Sequence, residues 1–347
     1  MRYALICFLL TLFLPAEGDK LSLQYTSLTY KNYPTNHLLS LYLDIENILS
    51  FQEGDLELRM GLNALGIIDK SDDMRLFDTV TKSRAAISSL SLDYYPSRQL
   101  LLSIGRESMD INLLRGSFDG LLATGEFDDF SFKSFYFKHY TRLQPTYYKN
   151  EKIDKLYGFN LHYEKGFFES EVTYFTYYGH SVNNLYVALH PGAFTLGAEY
   201  LAFTSDLLKD EKAYKFLLGY RHKNFYAEAG YYHVYEGTLR NIFALGGSEF
   251  KNYRLHGFLD QENAKNIYLD LQYGYKGFAL GLHAGYTEFE MPLSPMQSYH
   301  GKEFGITLSK KYGDLVFSAA LLTQKSDQPW SDGERTTWVQ TQCTYRF

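Results

Sequence analysis

Cysteine is nearly absent from this 347-residue chain, which carries only Cys7 and Cys343. Cys7 lies in an N-terminal run expected to be removed, so no intrachain disulfide can hold the remaining fold. Stability must come from how the backbone is paired. Long apolar runs are missing as well. Beyond residue 14 nothing approaches the roughly 18 to 20 residues that a membrane-spanning helix needs, which excludes a helical membrane protein. Nor is there an excess of basic charge: 34 Lys and Arg stand against 40 Asp and Glu, a net charge of −6. That balance argues against nucleic acid as a partner.

What the chain does have is aromatic side chains, 32 Tyr and 26 Phe with only two Trp. One ordinary core has no room for so many. Aromatics at this density are typical of lipid-facing strands with interfacial girdles. The two ends agree with that reading. Met1 and Arg2 precede an apolar run from Ala4 to Leu14 and a small-residue site at Ala16, Glu17 and Gly18, the three parts of a secretory signal peptide over residues 1–18. The last ten residues alternate polar and apolar and stop on Phe347, as the closing strand of an outer-membrane barrel does.

Between the ends, residues read two by two separate onto two faces. Leu56, Leu58, Met60 and Leu62 share one, while Glu57, Arg59 and Asn63 share the other. The same holds for Ile267, Leu269 and Leu271 against Tyr268, Asp270 and Gln272, and for Phe194, Leu196 and Ala198 against Thr195, Gly197 and Glu199. One face suits lipid and the other water, the period of a strand between the two. Turn formers punctuate these runs near residues 52–54, 95–98, 127–129, 164–166, 190–192, 222–224, 275–277 and 312–314, read as periplasmic turns. The Asp128-Asp129 pair sits in such a turn and is read as a turn former, not as paired acid/base carboxylates. Longer connections at 32–36, 69–83, 107–118, 144–154, 180–184, 205–213, 236–266, 290–302 and 325–334 are read as external loops. Eight turns and nine loops predict an all-β fold, one transmembrane antiparallel up-and-down β-barrel over residues 19–347 with about eighteen strands, sixteen being the nearest alternative. Residues 237–264 read either as a loop or as an extra hairpin.

At roughly 16 to 18 strands a barrel is too wide for side chains to fill, and its interior becomes an aqueous channel unless loops fold in. The alternation assigns Asp44, Glu57, Arg59, Glu171, Glu199, Arg221 and Asp270 to the pore wall, which is acidic on balance. The connection 107–118, the third on the loop side, is the expected constriction, with Arg106, Glu107, Asp110, Arg115 and Asp119 as its candidates. Arg106 shares parity with Leu102 and Ile104, so its place in the eyelet requires a bulge. Asp119 and Gly120 also read as anchors holding the returning loop to the wall.

The stretch Leu102-Ser103-Ile104-Gly105-Arg106-Glu107, followed by Ser117-Phe118-Asp119-Gly120, resembles the Gly-Arg-Gln segment and downstream Asp-Gly of the Opr-type outer-membrane porins, the OprD-like group with its alginate-export relatives. The resemblance implies an eighteen-strand barrel, monomeric or trimeric, whose third loop narrows a pore. Glu107 stands where Gln is usual in that group, and the long arginine ladder of its carboxylate importers has no counterpart here. The expected function is a porin of the bacterial outer membrane, passing small hydrophilic solutes or ions by passive diffusion, with cations and neutral solutes favoured over anions. Its partners are then outer-membrane lipid and the solutes. The ten His show no metal-ligand spacing, and neither a cofactor nor an enzymatic activity is expected. The alternatives are a phospholipase-like barrel enzyme and a surface binding or adhesion protein.

Overall fold

The computed structural model describes residues 20–30, 36–51, 55–70, 83–111, 113–144, 147–239, 262–291, 294–327 and 335–346. Eighteen strands follow one another: β1 Lys20–Tyr30, β2 Asn36–Phe51, β3 Leu56–Lys70, β4 Arg84–Ser97, β5 Leu100–Ile111, β6 Leu114–Phe127, β7 Phe130–Gln144, β8 Tyr147–Lys165 and β9 Phe168–Tyr177. The second half continues with β10 His180–Leu189, β11 Phe194–Ser205, β12 Glu211–His222, β13 Phe225–Glu236, β14 Glu262–Tyr275, β15 Phe278–Met291, β16 Ser294–Tyr312, β17 Leu315–Ser326 and β18 Arg335–Arg346. Each strand pairs antiparallel with its neighbours in the chain, and β1 pairs with both β2 and β18. The sheet is therefore closed, and closure alone removes exposed edges. Strands about 4.8 Å apart and tilted by roughly 40° put such a ring at about 35 Å across, backbone to backbone.

The two faces have the chemistry that the alternation requires. Ile104, Leu121, Phe216, Leu269 and Phe317 remain 44–58% exposed, and residues like them recur around the circumference. So large an apolar surface is sustained only in contact with lipid. The interior register carries Asn160, Glu199, Lys215, Asp270 and Gln342 instead.

Several connections are shorter than the sequence pattern suggests. Residues 107–118 are almost entirely strand, with β5 and β6 paired as far as Ile111 opposite Leu114. Most of 144–154 belongs to β8, 180–184 to β10, and 290–302 to β15 and β16. Above the lipid belt both faces of a strand meet water or protein, so the alternation fades while the backbone ladder continues. The signal peptide and residues 240–261, on which the loop-or-hairpin question turns, lie outside the described residues.

The β5–β6 hairpin breaks the regularity of the wall. β4 pairs with β5 only up to Leu90 opposite Arg106, although β4 itself runs on alongside β3 to Arg84. The upper part of β5 has left β4. β7 instead comes within 8 Å of both β3 and β4, closing the wall behind the hairpin. The crease lies where Gly105 faces Gly120. A Cβ on Gly120 would stand 2.0 Å from the Tyr136 carbonyl oxygen, and one on Gly105, whose φ is +133°, would stand 2.2 Å from that of Leu90. Only glycine permits strands this close. Gly120→Val is therefore expected to abolish the compact, heat-modifiable band of refolded protein on a cold gel. Gly274→Ala, where the nearest atom is 3.9 Å away, should leave that band intact.

Candidate functional site

One face of the hairpin, carrying Met109, Leu114 and Phe118, continues the interior register and is buried, as is Leu113 in the turn. These residues join a single apolar cluster with Phe137, Tyr140, Leu156, Phe175, Phe203, Tyr232 and Phe289 on the inner side of β7 to β15. Phe118 stacks on Phe137 at 5.0 Å between ring centroids. Burying an aliphatic side chain of this size contributes about 1.5–3 kcal/mol, so the leucine pair at the tip anchors the hairpin firmly. It lies inside the barrel on an apolar bed. The opposite face exposes Ser108, Asp110 and Arg115, the last two paired at 2.7 Å.

Arg106 and Asp119 do not join that exposed set. They share the register of the outward-facing Leu90, Ile104 and Leu121. There the Arg106 guanidinium donates to the Asp119 carboxylate, to the Ile87 carbonyl at 3.1 Å and to His139 Nδ1 at 3.2 Å. It thus ties β4 to β6 and β7 across the place where the hairpin departs. Its role in the geometry is to clip the wall shut.

Glu107 remains on the interior and is buried, accepting a hydrogen bond from the Ser103 hydroxyl. Around it the strands assemble a dense charge cluster. Asp93, with no exposed surface, pairs with Arg59 at 3.2 Å, and Glu46 and Glu107 also stand within Coulombic reach of that guanidinium. Glu57 accepts from the Tyr95 hydroxyl at 3.1 Å beside them. Removing Arg59 would strand several carboxylates together, the costly way to break a buried pair. Asp44 sits on the same side of β2, directly across from Asn63.

The other expected wall residues gather on the far side. Glu171 and Glu199 accept from Asn160 and Asn184 at 2.7 and 2.6 Å, and both line a cavity of about 570 Å³ together with Glu169, Glu228, Lys215 and Arg221. Asp270 lies one strand beyond, opposite Glu228 and bonded to His283. At the loop-side end of β17, burial pulls the Asp327 carboxyl up. The hydrogen bonds it accepts from the His300 backbone N–H, 2.6 Å, and imidazole, 2.9 Å, outweigh that and hold it below the ordinary range.

The apolar bed was not among the expected features. Its signal was present in Phe175 and Tyr177 after Thr173, and in Phe203 after Leu201, where apolar residues occupy the register that elsewhere faces water.

A large closed antiparallel barrel, apolar outside and polar within, defines a transmembrane β-barrel. No protein-family model matches the sequence, and no curated protein matches it. Solved structures share the architecture in detail. OccAB1 of Acinetobacter baumannii superposes with a TM-score of 0.78 at 9% identity, covering 95% of this chain and 96% of that one. OccK3 (OpdO) of Pseudomonas aeruginosa gives 0.72 at 14%, covering 97% of each, and OccD3 (OpdP) of the same organism gives 0.70 at 13%, covering 96% and 92%. At these identities the likeness establishes the fold, an eighteen-strand barrel of the kind that the local Gly-Arg and Asp-Gly resemblance implied.

Proposed function

We propose that this chain is a porin of the bacterial outer membrane, a water-filled channel for passive diffusion of small solutes. The observation that carries the reading is a closed eighteen-strand ring whose interior register is polar and charged around its circumference. The solved barrels of the same fold are OprD-group outer-membrane porins, which supports it. The constriction is formed by the β5–β6 hairpin lying on its apolar bed, with Asp110 and Arg115 on the exposed face. Glu107 stands at the hairpin's root, next to Arg59 and Glu57. Carboxylates flank the passage on two sides, Glu46 and Glu57 on one, with buried Asp93 and Glu107 behind them, and Glu169, Glu171, Glu199 and Glu228 on the other. Charges confined in a narrow aqueous space act on every ion that passes, so cations and neutral solutes move more readily than anions.

Refolded protein in a planar bilayer tests both statements. Discrete conductance steps are expected, with a reversal potential on the cation side under a KCl gradient. Correctly folded barrels that carry no current would end the porin reading, and an anion-side reversal potential would end the selectivity claim alone.

A further inference from the structure

Three cavities along the inner wall run into one another. The 570 Å³ cavity shares Arg221 and Tyr226 with one of about 490 Å³, which in turn shares Gln272, Gly281 and Thr307 with one of about 450 Å³. Each lies in the range of roughly 300–1,000 Å³ typical of small-molecule sites. Together they form a groove across β9 to β18.

The register shows how the groove is built. One cross-strand row reads Asp270, His283, Gly305, Leu322, Trp338, and the row beside it Gln272, Gly281, Thr307, Ala320, Gln340. Gly281, Gly305 and Ala320 carry little or no side chain, and Thr307 and Leu322 lean over the two glycines. From His283 to Trp338 is three strand spacings, about 14 Å, wide enough for one or two sugar rings. Trp338 supplies a broad aromatic face at one edge, and Tyr226 stands at the other.

The polar groups are aimed. Glu228 receives the Tyr226 hydroxyl and, at 2.6 Å, the Tyr268 hydroxyl, while Asp270 is held by His283. Two cations are interleaved with these two carboxylates: Lys215 lies 5.6 Å from the Tyr268 ring centre and Arg221 5.3 Å from that of Tyr226. In the part of the groove between Tyr226 and Trp338 the charges are even, Glu228 and Asp270 against Arg221 and Lys223, in contrast to the end lined by Glu169, Glu171 and Glu199. A balanced set of fixed acceptors, amides and hydroxyls beside an aromatic platform suits a ligand with many hydroxyls, a C–H face and no net charge.

We propose that this groove is a binding site for uncharged saccharides, with the sugar ring against Trp338 and its hydroxyls on Gln272, Thr307 and Gln340. The inference rests on the porin reading, since the groove faces the channel. The solute class that the channel retains and passes is then neutral oligosaccharide, and the wall carboxylates serve as oriented acceptors.

Maltotriose is added to conducting channels in a planar bilayer, and the fall in potassium current is measured against each variant's own open current. Millimolar half-block is expected for the native chain. Trp338→Phe should stay within about threefold of it, whereas Trp338→Ala should raise the half-block concentration at least fivefold, in keeping with the loss of one ring-stacking contact of about 1 kcal/mol or more. Should Trp338→Ala yield no channels, Gln272→Ala, on the exposed edge of the groove, carries the test with an expected threefold rise. Conducting channels that maltotriose does not block overturn the proposal. So does block that persists unchanged in Trp338→Ala, or block by tetramethylammonium and not by maltotriose. Folded barrels with no current at all point instead to failure of the porin reading itself.

Discussion

Replacing both leucines at the hairpin tip, Leu113→Asp with Leu114→Asp, is expected to raise single-channel conductance at least twofold and to add rapid open-state noise. Both side chains have no exposed surface and lie in the apolar cluster. A carboxylate cannot stay there: burying one without a partner costs several kcal/mol, more than the two leucines contribute to docking. Backbone strain is not the cause of the change. Leu113 has φ +72°, a conformation aspartate adopts more easily than leucine, so the turn itself is preserved or improved. The hairpin remains a hairpin and leaves its bed. A two-stranded element with its side chains is about 10 Å thick, a substantial fraction of a lumen whose backbone ring is about 35 Å across. Unchanged conductance in a properly folded double variant would mean that the hairpin does not narrow the passage.

The second large effect concerns charge. Glu171→Gln with Glu199→Gln is expected to lower the cation-to-anion permeability ratio roughly thirtyfold, measured from reversal potentials at low salt. The amides keep the size of the side chains and can still meet Asn160 and Asn184. Each substitution removes one unit of negative charge from the cavity wall. At about 8 Å through water each charge is worth about 0.5 kcal/mol to a passing ion, with opposite sign for cation and anion, so the pair shifts their difference by about 2 kcal/mol, or roughly thirtyfold. High salt should shrink the difference, since at 1 M the screening length is only about 3 Å, well short of the separation of about 8 Å. A ratio that does not move would place ion discrimination elsewhere, at the Arg59 and Glu107 cluster or at the hairpin.

The strand count was legible because alternation is enforced wherever a strand separates lipid from water. A one-residue slip there would put every carboxylate in the acyl chains. Where that enforcement ends, so does legibility. Residues 147–154 and 180–184 read as loops, yet they hydrogen-bond as strand. The hairpin read as a loop as well. Its inward position depends on long-range partners, Phe175, Phe203 and Phe289, that no local period reports. For Arg106 the parity argument pointed outward without a bulge, and the Ile87 carbonyl and His139 that receive it come from strands nineteen and thirty-three residues away in sequence. Trp338 stood plainly in the closing strand, but the small residues beside it came from β15 to β17 and only the register assembled them.

The pairing of Lys20 with Arg346 sets an order of events in the cell. The earliest strand has to wait for β18, so the ring cannot seal until β18 has been made and exported, and the contacts that finish it are the slowest kind to find. Until then the growing sheet has two raw margins and an oily outer surface, a state liable to aggregate and in need of escort. A chain cut short before β18 should thus be lost to proteolysis rather than persist as a leaky pore.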